Sequence, residues 1–425
     1  MLIAICCFLV TLLIGVPIAF CLGITGIVHI LSFDNPAYFN IITQRMFTGV
    51  NNISLICIPF FVMAGEIMNA GGVTKKLLEA VRELIGWVRG GLAYATVVVG
   101  MILAAILGSA QAVAAILCSV LISEMAKDGY KKEFSGALIA SSGILGPIIP
   151  PSVVFVVYCV LANTSVKTMF IAGIVPGVIL AIAFATIIFI KSRQPDFPKV
   201  NHKFNLKRCF KAFVSSIPAL IVPFVIIGGI ISGVFTPTES GAVAVVMALL
   251  ASIIYGTMDW KRLPNMLLRA GMSSAGILLI ISLGNIVGWS MAIDGIAEKV
   301  STLIFSVTSN PNIVLLFMLL ITIIIGCLMD TTAAMLVFVP VLLPIATEIG
   351  MDPIHFGMIF CVMITIGMIT PPVGLVLFVV SNVSDISLPK LSKEVLPFII
   401  VAFVCIFIVA YFPGLIMWVP KLLVS

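Results

Sequence analysis

Long apolar runs fill most of the chain, and the informative positions are those where polar residues, glycines or prolines interrupt them. The first run, Leu2 to Leu31, lacks a basic stretch before it and is too long for a secretory leader, so it predicts an uncleaved membrane helix near 2–30. A polar link with Asp34 and Arg45 follows, then a run over 54–69 containing Glu66. Between 73 and 89, charges such as Lys75, Glu79 and Arg82 alternate with Leu77, Val81 and Leu84 at helical spacing, which predicts a helix lying on the membrane surface. A helix that docks a partner is the second reading of that segment.

The run 92–126 holds Gly108-Ser109 at its middle. It is too short for two passes, which need roughly 40 residues and a turn, and so predicts a re-entrant hairpin with its tip at Ser109. The pass 134–163 is cut by Gly146-Pro147-Ile148-Ile149-Pro150-Pro151-Ser152. Proline removes backbone donors and drives the preceding residue out of helical geometry. After a full helix at 169–190 and a basic loop at 191–211, the second part runs through helices at 214–233 and 239–256, a short surface piece at 259–270 and a pass at 271–292. The pattern then repeats: a hairpin at 312–347 turning near Asp330, a pass at 356–383 broken at Thr370-Pro371-Pro372-Val373-Gly374, and a last helix at 395–418. Ser109 to Pro150 and Asp330 to Pro371 are both 41 positions apart, the spacing of an internal repeat.

Composition agrees with this layout. Hydrophobic residues make up 61% of 425 positions, charged residues 9%, and mean hydropathy is +1.29. That excludes a soluble globular domain and leaves an all-α polytopic membrane protein. With the loop 191–211 in the cytoplasm and sides alternating, 19 of the 23 lysines and arginines fall inside; Arg45, Lys167, Lys299 and Lys421 fall outside. This places the N-terminus in the cytoplasm, the C-terminus in the periplasm, and the halves 1–190 and 212–425 in inverted orientation. The net charge of +6 reflects these loops, so no nucleic-acid partner is expected. Ten cysteines without a C-x-x-C pair read as buried thiols, and three dispersed histidines do not make a metal site.

Inverted repeats with broken helices at mid-membrane are the plan of secondary transporters. Irregular backbone at that depth is tolerated only where it is buried in protein or lines a cavity, and its carbonyls can hold ions. Hydroxyls of Ser109, Thr331, Thr332 and Thr370, with backbone oxygens near Gly146, Ile149, Gly326 and Gly367, would give hard oxygen ligands for sodium. The bland alternative is that the prolines only kink helices for packing. Asp330 has no Lys or Arg in its hairpin, and a bare carboxylate in the bilayer costs roughly 2.5–3.5 kcal/mol. A bound cation or substrate hydroxyl would satisfy it; capping of the next helix is the competing account. Glu66 and Glu239 fit helix ends. No arginine or lysine lies in either break, so an anionic substrate would depend on co-bound sodium.

Pro59 to Met68, Gly129-Tyr130, Gly146 to Ser152, Leu161 to Gly177, Phe235 to Ser240 and Thr370 to Gly374 together resemble the large membrane subunit of the tripartite ATP-independent periplasmic (TRAP) transporters over essentially the whole chain. The resemblance implies an elevator-type carrier of the inner membrane that takes up a small organic acid, such as a C4-dicarboxylate or sialic acid, with sodium as coupling ion and no other cofactor. It also implies a separate small membrane subunit and a periplasmic binding protein as partners. Carried over by position, one sodium site falls on Ser109, Gly146, Ile149 and Pro151. The other falls on Gly326, Asp330, Gly367 and Thr370, and substrate would meet Ser109, Asp330 and Ser152. The chain departs from the family at the first tip, where Leu107 and Val113 stand in place of a serine and an aspartate, with Gln111 nearby. A stand-alone ion-coupled carboxylate symporter is the alternative function. An intramembrane enzyme using Ser109 lacks a nearby base, and a channel needs no paired hairpins.

Overall fold

Short polar side chains, glycines and prolines set where the helices of this all-α protein begin and end. The computed structural model describes residues 2–33, 35–198 and 205–424, with no strand among them. The expectations for Asp34, Lys199, His202 and Lys203 lie outside the described residues.

The first region contains α1 (Leu2–Leu13), α2 (Ile18–Leu31), α3 (Ala37–Val50) and α4 (Cys57–Ala70). The single helix expected over 2–30 is instead a hairpin. Gly15, at φ +86°, and Pro17 end the first helix, and α1 folds back along α2. Next come α5 (Val73–Ile85), α6 (Gly91–Leu107), α7 (Ala110–Lys127), α8 (Lys132–Gly143), α9 (Val153–Ala162) and α10 (Val166–Ser192).

The second region holds α11 (Leu206–Ser232), α12 (Pro237–Ile254), α13 (Leu263–Ile293) and α14 (Ile296–Val307). It continues with α15 (Pro311–Leu328), α16 (Thr331–Glu348), α17 (Pro353–Gly367), α18 (Leu375–Ser384), α19 (Leu388–Tyr411) and α20 (Gly414–Val424). Two expectations are corrected here. The surface piece at 259–270 is mostly the start of α13, which runs unbroken for 31 residues with Gly271, Gly276, Gly284 and Gly288 carried inside it; the amphipathic helix of this half is α14. The last helix starts earlier, at Leu388, and stops near Pro413, after which α20 is a separate short helix.

Nine helices among the described residues are long and apolar enough to cross a membrane. Capping side chains start many of them. At Thr236-Pro237-Thr238-Glu239 the Thr236 hydroxyl accepts from the Glu239 N–H at 3.2 Å, and the Glu239 carboxylate accepts from the Thr236 N–H at 2.8 Å. Glu239 is thus a capping residue, as expected, whereas Glu66 lies inside α4.

The halves interlock. The α7 arm of hairpin 1 packs on α18, and the α16 arm of hairpin 2 packs on α9, so each hairpin leans on the broken helix of the other half. At the centre the Tyr158 ring of α9 fills the space over Gly357 of α17, and its hydroxyl donates to the Pro353 carbonyl at 2.6 Å. Each hairpin base is anchored by the amphipathic helix before it. Arg82 of α5 holds Glu124 and Asp128, each at 3.0 Å, and Ser301 of α14 donates to Glu348 at 2.7 Å. The Thr257 hydroxyl donates to the Gly71 carbonyl, placing α5 beside the start of α13. From there α13 rises about 46 Å to α14. The two hairpins therefore enter from opposite faces.

Around them α2, α4, α11, α12 and α13 form a scaffold. Its outer side chains include large exposed apolar ones such as Phe224, at 74% exposure.

Candidate functional site

The first hairpin tip is made by a glycine that takes a left-handed turn. Gly108, at φ +60°, ends α6, and Ser109 returns to extended geometry and caps α7, its hydroxyl accepting from the Ala112 N–H at 3.4 Å. This tip presses against the break between α8 and α9. A Cβ on Gly146 would lie 2.9 Å from the Ser109 carbonyl oxygen, and one on Gly108 would lie 3.4 Å from the Pro151 oxygen. The structure thus brings Ser109, Gly146 and Pro151 together, with Ile149 one turn of chain away.

Prolines at 147, 150 and 151 supply carbonyls without donors, and the Pro150–Pro151 bond is cis. Among the described residues nothing donates a hydrogen bond to the carbonyls of Gly146, Ile149 or Pro151. Two helix C-termini, those of α6 and α8, also end here, and their partial negative charge favours a cation. Ser152 is placed differently from its neighbours. It is fully buried, donates to the Pro147 carbonyl at 2.5 Å and accepts from the Phe155 N–H, so its hydroxyl caps α9.

The polar groups absent from this tip are replaced by packing. Val113 is fully buried, and Leu107 covers Gly65 of α4, its Cδ2 lying 2.7 Å from where a Cβ would stand. Gln111 is half-buried one turn further on.

The second tip has richer chemistry. Gly326 of α15 and Gly367 at the end of α17 meet backbone to backbone. Asp330 caps α16 through Oδ2, which accepts from the Thr332 N–H at 3.0 Å. It is half-buried, and no ion pair reaches it among the described residues. The Thr370 hydroxyl donates to the Ile366 carbonyl at 2.9 Å, the Gly367 carbonyl accepts from the Thr370 N–H at 2.9 Å, and the Thr331 hydroxyl lies 3.0 Å from the Met368 sulfur. The Gly374 N–H reaches the Cys327 carbonyl, tying the break to the hairpin. Pro371 and Pro372 are exposed, whereas Pro150 and Pro151 are buried.

A family model described as the DctM component of the tripartite ATP-independent periplasmic transporter matches residues 5–415. The chain belongs to this family. It is therefore a TRAP large permease, a multi-pass protein of the inner membrane and not an enzyme. It is 35% identical over 411 residues to the 2,3-diketo-L-gulonate TRAP transporter large permease protein YiaN of Escherichia coli, covering 96% of each chain. It is 32% identical to the sialic acid TRAP transporter large permease protein SiaM of Vibrio cholerae, covering 96% of this chain and 95% of that one. In structure it resembles the YdaH transporter of Alcanivorax borkumensis, with a TM-score of 0.65 at 13% identity, covering 89% and 88% of the two chains. That likeness shows a shared fold.

One polar cluster in this permease lies outside the sequence expectations. His29 Nδ1 sits 3.0 Å from the Ser290 hydroxyl and Nε2 sits 3.3 Å from Asp294, whose other oxygen is 2.7 Å from Lys299. The partners are more than 260 positions apart, so no local motif marks them. Lys299 first, and His29 second, hold the Asp294 carboxyl below the usual range. Among the described residues no three His, Cys, Asp or Glu side chains gather as a metal site.

Proposed function

We propose that this permease carries out sodium-coupled uptake of a small organic carboxylate by an elevator movement of the hairpins and broken helices against the scaffold. The supporting observation is the pairing of each hairpin tip with a proline break, where helix C-termini converge without a lysine or arginine, joined by undonated carbonyls at the first break and by the Asp330 carboxylate at the second. Such a place attracts a cation and holds an anion only with one. Ser109, Gly146, Ile149 and Pro151 form the first sodium site; Gly326, Asp330, Gly367 and Thr370 form the second. Ser109 and Asp330 meet the substrate, with Ser152 supporting the first break from behind.

Its partners are a small membrane subunit and a periplasmic binding protein that delivers the substrate. Relatives named for diketogulonate, sialic acid and C4-dicarboxylate make a carboxylate the reading for this chain. The base of hairpin 1 faces the cytoplasm and the base of hairpin 2 the periplasm. With α1 folded back on α2, the start of α1 comes to the face of Asp294 and Lys299, which the positive-inside rule makes periplasmic, opposite to the cytoplasmic N-terminus expected from one crossing.

Reconstitution of the permease with its small subunit tests this reading. Uptake of a carboxylate bound by the cognate binding protein is expected to require both that protein and inward-directed sodium. Full-rate uptake without sodium would overturn the coupling, and full-rate uptake without the binding protein would make the chain a stand-alone symporter.

A further inference from the structure

Between the N-terminal helix pair and the second hairpin lies an apolar cavity of about 400 Å³. Phe8 of α1, Thr25 and His29 of α2, Met291 of α13, and Leu328 and Met329 at the hairpin tip line it. We propose that this cavity binds one acyl chain of a bilayer phospholipid, seated between the scaffold and hairpin 2.

Four observations carry the assignment. The first is size. An apolar hole of roughly 150 Å³ stays dry and accepts a six-carbon ring, so this one has room for a chain of about a dozen methylenes. The second is access. Leu9, Ile324 and Leu328 line the cavity and are also 49%, 61% and 51% exposed on the outer face, so the opening is toward lipid. The third is depth. From His29 to Leu22 the wall descends roughly 10 Å along α2, from the polar link that follows α13 to the level of the hairpin tip.

The fourth is the polar end. His29 leads through Asp294 to Lys299, whose side chain is 64% exposed and suits a headgroup phosphate. One turn deeper is Thr25, which is 7% exposed and whose hydroxyl has no hydrogen-bond partner among the described residues. A single hydroxyl is too little for a stable buried water, which needs two to four polar partners. A lipid ester oxygen at that depth would accept its proton. Because Met329 precedes Asp330, the lipid chain touches the segment that presents the carboxylate, and its presence steadies that tip.

Photolabelling of the full permease with its small subunit tests the site, in proteoliposomes containing phosphatidylethanolamine with a diazirine on one acyl chain. Adducts are expected to concentrate on peptides 2–31 and 311–338, above the lipid-exposed face of α11 around Phe224. Ala4 of α1 also lines the cavity, and Thr25→Trp or Ala4→Phe should each lower them roughly tenfold, the effect of excluding about two methylenes. Thr25→Val, which keeps the volume but removes the hydroxyl, should lower labelling only about a few-fold, less than either filling substitution, and Ala4→Phe serves where Thr25→Trp does not fold. Adducts as dense on α11 as on α1 and α2, labelling indifferent to both filling substitutions, or a helix of the small subunit crosslinked into the cavity would each overturn the proposal.

Discussion

Gly326 and Gly367 touch through their main chains. A Cβ on Gly367 would stand 2.6 Å from the Gly326 Cα, and one on Gly326 would stand 2.8 Å from the Ile364 carbonyl oxygen. Neither obstacle is a side chain that could swing away. Gly367→Ala must therefore push hairpin 2 off the break. Overpacking costs about 1–3 kcal/mol, and with backbone on both sides the upper end applies. A lower thermal midpoint of the purified permease and loss of uptake are expected. Gly276→Ala has nothing within 4 Å and should leave both unchanged; equal damage from the two substitutions would refute the close contact as the cause.

Asp330 combines a cap and a charge, and two substitutions separate them. Asp330→Asn keeps an oxygen for the Thr332 N–H and removes the carboxylate. Its stability should change little, while sodium-dependent uptake should fall at least about tenfold, the loss of one ion or substrate contact worth roughly 1.4 kcal/mol. Asp330→Ala should lose the same uptake and about 1 kcal/mol of stability besides. If Asp330→Asn transports normally with unchanged sodium dependence, Asp330 is a cap and nothing more.

Arg82 gathers two carboxylates from the base of hairpin 1, with about 30% of each side chain exposed. The planar guanidinium serves Glu124 and Asp128 together, which a lysine cannot do. Arg82→Lys should cost about 1 kcal/mol, the upper range for a pair this exposed. Arg82→Lys and Asp128→Asn should then combine to less than their sum, as measured by thermal unfolding of the single and double variants. Strict additivity would show that the residues act apart.

Much of this architecture was legible because the sequence marks it locally. Gly108-Ser109, Asp330 and the two proline clusters place four interruptions within apolar runs, and each lies where the structure has a tip or a break. Thr236 to Glu239 spells a capping box. What stayed hidden depends on distance in the chain. The helix pair α1–α2 reads as one span because Gly15 and Pro17 are a weak interruption in an otherwise continuous run. The start of α13 carries charges that resemble a surface helix, yet nothing in it ends a helix. Ser152 carries a hydroxyl at the break, but only the fold shows that both its hydrogen bonds go to backbone. Contacts such as Gly326 with Gly367 or His29 with Asp294 carry no local signal.

Asp294 gives the permease an acid-sensitive clasp between α2 and the link to α14. Its carboxyl is held below the ordinary range by Lys299 first and His29 second. A carboxyl with a lowered folded-state pKa stabilises above its unfolded value of about 3.9, and the contribution is lost as pH falls through the folded-state value. Wild type should therefore exceed Asp294→Asn in thermal midpoint by a constant margin from neutral pH down to about 5; the margin should begin to shrink near about 4 and vanish only below the folded-state value. Lys299→Met removes the larger cause, so the folded-state pKa rises toward its ordinary value and the margin shrinks at neutral pH. Thermal unfolding of the three proteins across that pH range provides the measurement. A margin that grew on acidification would mean that the carboxylate is opposed in the folded state, contrary to the Lys299 pairing.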